Sequence, residues 1–353
     1  MAQPDTMTAR TVHIQTVTDG DVLAATTRLL EDSDFAGRLA GSSSVFIKPN
    51  LVSDVPEYIA AGSNTDTRVI EALLAYLGDY DVRVMLGESE VGTRLKGRKL
   101  SAALAYMGIP QLQKRYDFEI VNLTEADQTD VDVPDALWLR RVRLSRPLLD
   151  ADLIVNMPKL KTHKYATITC ALKNMFGAIP DPLRIRYHAG LDKVLADLNS
   201  LFRDRMYVLL DGLVGMEGQG PLYGTPVEMN LLLAAHCPGA CDTVAARLMG
   251  FEPGQVPHLA NYLRHFSHVA ADDVVVKGAE VETLRRQFTP SRRNLYVKFE
   301  SWMCRHPSIV NIIFSDAFRR FVSRPLHPII SRLRGGSYSW YPEDKGDGCR
   351  GHD

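Results

Sequence analysis

Seven short runs of β-branched and aliphatic residues recur through the first three quarters of the chain. They are TVHIQTV (11–17), SVFIKP (44–49), DVRVMLG (81–87), FEIVNL (118–123), ADLIVNMP (151–158), MYVLLDG (206–212) and MNLLLAAH (229–236). Several are apolar on consecutive positions instead of alternating with polar ones. Strands covered on both faces by other layers read this way. Helical patterns lie between the runs. Residues 20–32 carry Val22, Leu23, Leu29 and Leu30 behind Asp19. Residues 66–77 carry Val69, Ile70, Leu73, Leu74 and Leu77 at helical spacing, with Asn64, Thr65 and Asp66 as candidate N-caps. Residues 98–107 and 190–202 read alike. This alternation predicts βαβ units and an α/β fold, with a mainly parallel, doubly wound sheet flanked by helices. The stretch 120–150, with Trp138 and the alternating RRVRLSRP, reads as a small antiparallel excursion or as an edge strand.

The pattern changes near residue 284. From there the chain reads as helix carrying Trp302, Phe314, Phe318 and Phe321, with Arg319, Arg320, Arg324, Arg332 and Arg334 among them. This divides the chain into an α/β domain over 1–283 and a helical C-terminal extension over 284–353. The last residues, YPEDKGDGCRGHD, read as a frayed tail. A basic amphipathic stretch packs back on the sheet with its arginines in water, or it meets a membrane surface or a partner.

Composition narrows the class. The chain has 353 residues, of which 45% are hydrophobic and 24% charged. Those shares suit a globular protein with a large core. The formal net charge is −1 and the sequence pI about 6.8. A nucleic-acid binder usually shows a basic excess, so none is expected. No run of apolar residues is long enough for a transmembrane helix, and the polar start MAQPDTMTARTVHIQ has no signal-peptide core. The five cysteines (Cys170, Cys237, Cys241, Cys304 and Cys349) are odd in number and scattered, without a CxxC pair. A reducing, cytoplasmic setting is expected. Cys237 and Cys241 share a face if their segment is helical, and His236 is adjacent. Two thiols close a zinc site only with histidine help.

Candidate chemistry concentrates in ADLIVNMPKLKTHKYATITCALKNMFGAI, residues 151–179. A buried-type strand ends at Asn156. A proline-containing loop is expected next, with Lys159, Lys161, His163 and Lys164, and then a helix starting near Thr167 or Thr169 that carries Lys173 and Asn174. Ligands of open α/β sheets bind just beyond the carboxyl ends of strands, where a helix N-terminus adds donors and positive potential for an anion. A solvated basic loop is the plainer reading. Against it, the cations directly follow an apolar strand and have almost no acidic neighbours. Converging cations suit a carboxylate or phosphate. A lysine desolvated among them has a lowered pKa and can act as base or nucleophile.

Other segments point to the same crevice. SVFIKPNLV places Lys48 and Asn50 at the tip of a strand, and LGESEVG places Glu88, Ser89 and Glu90 after another. Two carboxylates so spaced can bind a metal, act as acid and base, or be solvated turn residues. In LLDGLVGMEGQGPLYGTP, Asp211 ends a strand and the glycines predict a mobile or tightly turning loop from which Glu217 can reach the pocket. The loop fits neither a dinucleotide fingerprint nor a Walker A loop. Arg184, Arg186 and His188 in RIRYHAG extend the cationic character.

IKPNLV, the NTD at 64–66, GES, NMPKLKTH, ITCALKNMFG, LLDGLVGMEGQGP and CDTVAARLMG occur in that order. Together they resemble the domain of unknown function 362 family over roughly residues 40–265. The resemblance implies an α/β fold. It carries motif positions onto Lys48, Asn50, Glu88, Asn156, Lys159, Lys161, His163, Lys173, Asn174, Asp211 and Asp242. Many relatives carry a cysteine-rich, ferredoxin-like segment for iron–sulfur clusters. This chain lacks it, so no iron–sulfur cluster is expected. Relatives often read Asp-Pro…Asp where this chain has Cys237-Pro238…Asp242.

The expected function is an enzyme acting on a small carboxylate- or phosphate-bearing substrate. Proton abstraction beside a carbonyl and group transfer are its reaction types. Lys161, His163, Lys173 and Glu88 are its candidate catalytic residues. Lys48, Asn50, Asn156, Lys159, Asn174 and His188 are assigned to the substrate, and Asp211 and Glu217 to a divalent metal if one is bound. Two alternatives stand beside it: a non-catalytic protein that senses or carries an anionic metabolite, and a partner- or membrane-surface-binding protein working through the basic C-terminal helices. Oligomeric state, including a homo-oligomer, is left open.

Overall fold

The structure, a computed structural model, describes residues 6–90, 100–181, 183–292, 302–306, 309, 310 and 312. All seven apolar runs form strands of one sheet: β1 (Thr11–Thr16), β2 (Ser44–Pro49), β3 (Arg83–Glu88), β4 (Glu119–Asn122), β7 (Leu153–Met157), β10 (Met206–Gln219) and β11 (Tyr223–Ala235). With β12 (Val275–Gly278) at one edge, the order is β12-β1-β11-β10-β7-β2-β3-β4. Neighbours pair in parallel except where β11 runs against β1 and β10. The sheet is therefore mainly parallel.

Side-chain alternation explains the continuous apolar runs. Val45, Ile47, Leu153, Val155, Tyr207 and Leu209 enter one core, together with helices α1 (Val22–Asp32), α2 (Thr67–Leu77) and α3 (Leu100–Tyr106). Phe46, Ile154, Val208 and Leu233 enter the opposite core. There they meet α4 (Cys170–Asn174), α5 (Leu191–Ser200), α6 (Pro238–Leu248) and α7 (Pro257–His265). Both faces are covered, which makes the sheet doubly wound. Asp66 is the N-cap of α2, accepting from Arg68 N at 2.9 Å.

Several expectations change. Lys159–His163 is strand β8, not a loop. It pairs with β10 and with the short β9 (Thr167–Ile168), and all five of its residues are buried. Its K-L-K-T-H sequence is itself a period-two alternation. The glycine-rich segment after Asp211 is no loose loop either. It is the extended arm of a β10–β11 hairpin turning at residues 220–222. Glycine is needed there for close approach, since a Cβ on Gly220 would collide with the Thr162 carbonyl. The 120–150 stretch contains an antiparallel pair, β5 (Gln128–Asp132) with β6 (Arg141–Ser145). Residues 285–292, expected to begin the C-terminal helix, are not helical. Arg286 N and Phe288 N donate to Leu248 O and Met249 O at 2.8 and 3.0 Å, and the Phe288 ring is buried in the core beside α6. Trp302–Cys304 is helical, but Phe314, Phe318, Phe321 and the five arginines Arg319, Arg320, Arg324, Arg332 and Arg334 lie outside the described residues.

One buried carboxylate fixes the β5–β6 excursion to the body. Asp197 of α5 accepts from the backbone N–H groups of Leu137, Trp138 and Leu139 at 2.8, 2.8 and 2.7 Å. Removing it leaves three backbone donors, one buried and two part-buried, without their partner. Asp197→Ala is expected to lower unfolding stability by about 3 kcal/mol, read as a shift of the urea midpoint at constant slope. A loss under about 1 kcal/mol would mean that water replaces the carboxylate without penalty.

Candidate functional site

The carboxyl ends of β2, β3 and β7 stand side by side, with Lys48 in register with Asn156. Lys48 Nζ lies 2.5 Å from Glu88 Oε2 and donates to Pro49 O at 3.0 Å. Glu88 Oε1 accepts from Ser89 N at 2.9 Å. Next along the sheet, Lys159 Nζ meets Asp211 Oδ2 at 2.7 Å, and Asp211 also accepts from Asp66 N and Leu213 N. Lys161 has no carboxylate partner among the described residues and donates to Ser63 O at 2.6 Å. Asn50 holds the same segment by donating to Ser63 O at 2.7 Å.

α4 is fastened over these strand ends. Asn156 Nδ2 donates to Ala171 O at 2.9 Å, and Asn174 Nδ2 donates to Asn156 Oδ1 at 2.7 Å and to Lys48 O at 3.2 Å. Thr167 and Cys170 have φ of 68° and 37°, in the left-handed region that non-glycine residues rarely occupy. The sequence suggests a helix start open to an anion, but in the structure it is already taken. Asp242 of α6 occupies it, with Oδ1 2.6 Å from Ala171 N and Oδ2 3.0 Å from Leu172 N.

These elements enclose a cavity of about 230 Å³. Its polar lining is Glu88, Lys161, His163, Lys173, Arg184 and His188, with Asn50, Thr169 and Asn174. Its apolar lining is Leu51, Val52, Phe176, Ile185, Pro221 and Leu222, and the Phe176 ring packs against Lys173 and His188. Thr169 Oγ1 is buried with no hydrogen-bond partner. Gly177 lets Glu88 approach, since a Cβ there would collide with its Oε1. Arg184 is anchored by donating to Glu90 O at 2.9 Å and Ile179 O at 3.1 Å.

The ammonium of Lys173 stands 4.2 Å above the Phe176 ring centroid and makes no ion pair or hydrogen bond with the described residues. Burial, then the charges of Arg184 and Lys48, push its pKa down to about 7. Burial, Lys173 and Lys159 hold Lys161 well below the ordinary lysine range. The two histidines have opposite tautomers. His163 Nδ1 accepts from Tyr165 N and Ala166 N at 3.1 and 3.2 Å, so the neutral ring carries its hydrogen on Nε2. His188 Nδ1 faces Ile185 O at 3.0 Å, and a carbonyl only accepts, so its Nε2 keeps a lone pair. Burial and Lys173 keep both rings neutral, lowering His163 well below its usual range and His188 to about 3.

Of the residues singled out in the sequence, Glu88, Lys161, His163, Lys173, Asn50, Asn174 and His188 line the cavity. Lys48, Asn156 and Lys159 lie behind it as buried framework. Asp211 and Glu217 do not meet. They are six residues apart on β10, about 20 Å along a strand, and Glu217 accepts from Thr289 N at 2.7 Å. Glu90 accepts from Leu100 N and Asn122 Nδ2 and is not part of the cavity. His236 Nε2 faces Ser33 O, and no group of three His, Cys, Asp or Glu side chains among the described residues is placed to hold a metal. The site residues not assigned from sequence are Arg184 and Thr169. The RIRYHAG cation cluster was the signal for the first, and only the threonine's place before α4 marked the second.

Comparison with known proteins adds the following. A thylakoid-associated protein of Synechocystis sp. is 28% identical over 320 residues, spanning 87% of this chain and 94% of that protein. The lactate racemase apoprotein from Thermoanaerobacterium thermosaccharolyticum is similar in structure at 14% identity, with a TM-score of 0.41 over 69% of this chain. This chain spans 59% of that structure's length. No helix among the described residues is long and apolar enough to cross a membrane. Residues 45–247, more than half of the chain, match the family described as Domain of unknown function (DUF362), and the chain belongs to that family.

Proposed function

We propose that the protein is an enzyme that binds a small carboxylate- or phosphate-bearing substrate and moves a proton at a carbon beside a carbonyl, as isomerases, epimerases and lyases do. The observation that carries this reading is the unbalanced charge of the cavity. Lys161, Lys173 and Arg184 line it, and the one carboxylate among its described lining residues, Glu88, is already paired with Lys48. An anion entering there supplies the missing partner, in surroundings where Coulomb attraction is weakly screened.

The histidines divide the proton work. His188 offers the Nε2 lone pair and is the base. His163 offers the Nε2 hydrogen, and as a neutral ring it donates a hydrogen bond to oxygen charge that develops on the substrate. The bound anion offsets the cations that hold His188 acidic, which raises its basicity when substrate is present. Lys161, Lys173 and Arg184 orient the anion, and apolar lining residues such as Leu51 and Leu222 take the remainder of the molecule.

Two outcomes are expected. In titration calorimetry with pyruvate, lactate and inorganic phosphate as probes, at least one binds, and Lys173→Met weakens that binding by about tenfold or more. His188→Gln keeps the binding and abolishes enzyme-dependent exchange of the substrate C–H hydrogen with deuterium oxide, followed by proton NMR. Binding without exchange in the wild type would leave only a carrier or sensor of the anion. Binding is also expected to depend on pH. The competent form has Lys173 protonated, and its pKa near 7 in the free protein rises when an anion pairs with it. Affinity is therefore full below about pH 7 and falls as pH rises above it, with proton uptake on binding near pH 8. Calorimetry in two buffers of different ionisation enthalpy measures that uptake. A flat profile between pH 6 and 9 would remove Lys173 from the anion site.

A further inference from the structure

The cavity holds more than one kind of amine. Lys48 and Lys159 are committed to carboxylates. Lys161 is fully buried and donates to a carbonyl. Lys173 differs from all three: it reaches the cavity from α4, is only partly buried, and its nitrogen lies over an aromatic face with no acceptor bound. Lining the same cavity are two other cationic side chains able to hold a carboxylate, Lys161 and Arg184, and His188, whose Nε2 has no hydrogen-bond partner among the described residues. A cavity of about 230 Å³ has room for a short acid.

We infer that Lys173 is a covalent nucleophile whose amine condenses with the carbonyl of a short 2-oxo acid held through its carboxylate by Lys161 and Arg184. The inference rests on the anion-pocket reading above and names the substrate class for it. The carboxylate sits between Lys161 and Arg184, which leaves the adjacent carbonyl carbon to Lys173; its ammonium, the form that attracts the anion, releases a proton to the medium before the nitrogen attacks. The nitrogen lone pair forms the C–N bond as the carbonyl π pair moves to oxygen. That oxygen leaves as water, carrying one hydrogen from the nitrogen and one proton from the medium, and a protonated imine remains. Nothing is oxidised or reduced. The iminium withdraws electrons from the neighbouring carbon, whose proton His188 Nε2 then takes more readily than from the free oxo acid. A fraction of Lys173 is unprotonated at neutral pH because of its burial among cations. An arginine in its place, always protonated, has no such lone pair.

The test uses the full chain with pyruvate and sodium cyanoborohydride, followed by intact mass measurement and peptide mapping. Pyruvate binding is measured in parallel by calorimetry without the reductant. The expected result is one carboxyethyl group per chain, on Lys173, at least about tenfold above any other lysine, and lost in Lys173→Arg. If that variant does not fold, the wild-type peptide map still decides. Binding of pyruvate with no adduct, or with adducts spread over surface lysines, overturns covalent chemistry and leaves the anion pocket standing. A single-site adduct that persists in Lys173→Arg overturns the assignment to this residue. Absence of binding and adduct with pyruvate, glyoxylate and 2-oxobutyrate alike overturns the inference together with the pocket reading beneath it.

Discussion

Burying an ammonium group costs several kcal/mol unless an anion or other acceptors replace its water. The carboxyl end of this sheet contains four lysines under that constraint, and they meet it to different degrees. Lys48 and Lys159 have carboxylates at 2.5 and 2.7 Å. Lys161 has one carbonyl. Lys173 has only the face of a ring. Neutralisation thus declines from the sheet toward the cavity, and the uncompensated positive charge collects where a small molecule can reach it.

Keeping that charge in place requires a stiff support. α4 is short, and its first turn contains a residue in the left-handed region. Asp242 secures its start from α6, and the Asn156–Asn174 pair secures its other end to β2 and β7. Lys173 and Asn174 are therefore positioned by two different layers of the fold. Such preorganisation lets electrostatic groups act on a ligand without first rearranging.

The architecture was legible because burial on both faces writes itself into consecutive residues such as SVFIKP and LIVNM. The charged strand β8 was harder. Its alternation was present in K-L-K-T-H, but four cations following Pro158 outweigh a five-residue period, and the partners that make the strand buriable are distant. Asp211 is 52 positions from Lys159, and nothing local signals the pairing. The same holds for α4, whose anion-ready N-terminus is occupied by a side chain 71 residues away. Histidine tautomers depend on backbone groups whose placement follows from folding. Residue types in the pocket could thus be read from sequence, while the division of labour among them could not.

The lining of the cavity has two origins. Its charged residues come from strand ends, from a helix stitched into the sheet and from the 184–188 segment. Pro221 and Leu222 come from the connection between β10 and β11. Connections of this kind tolerate changes of length and sequence that sheets do not. The charged groups are therefore fixed with the scaffold, while part of the apolar lining belongs to a separable piece of chain. Under the function proposed above, a change at the hairpin tip alters the shape open to a substrate and leaves its electrostatic anchor in place.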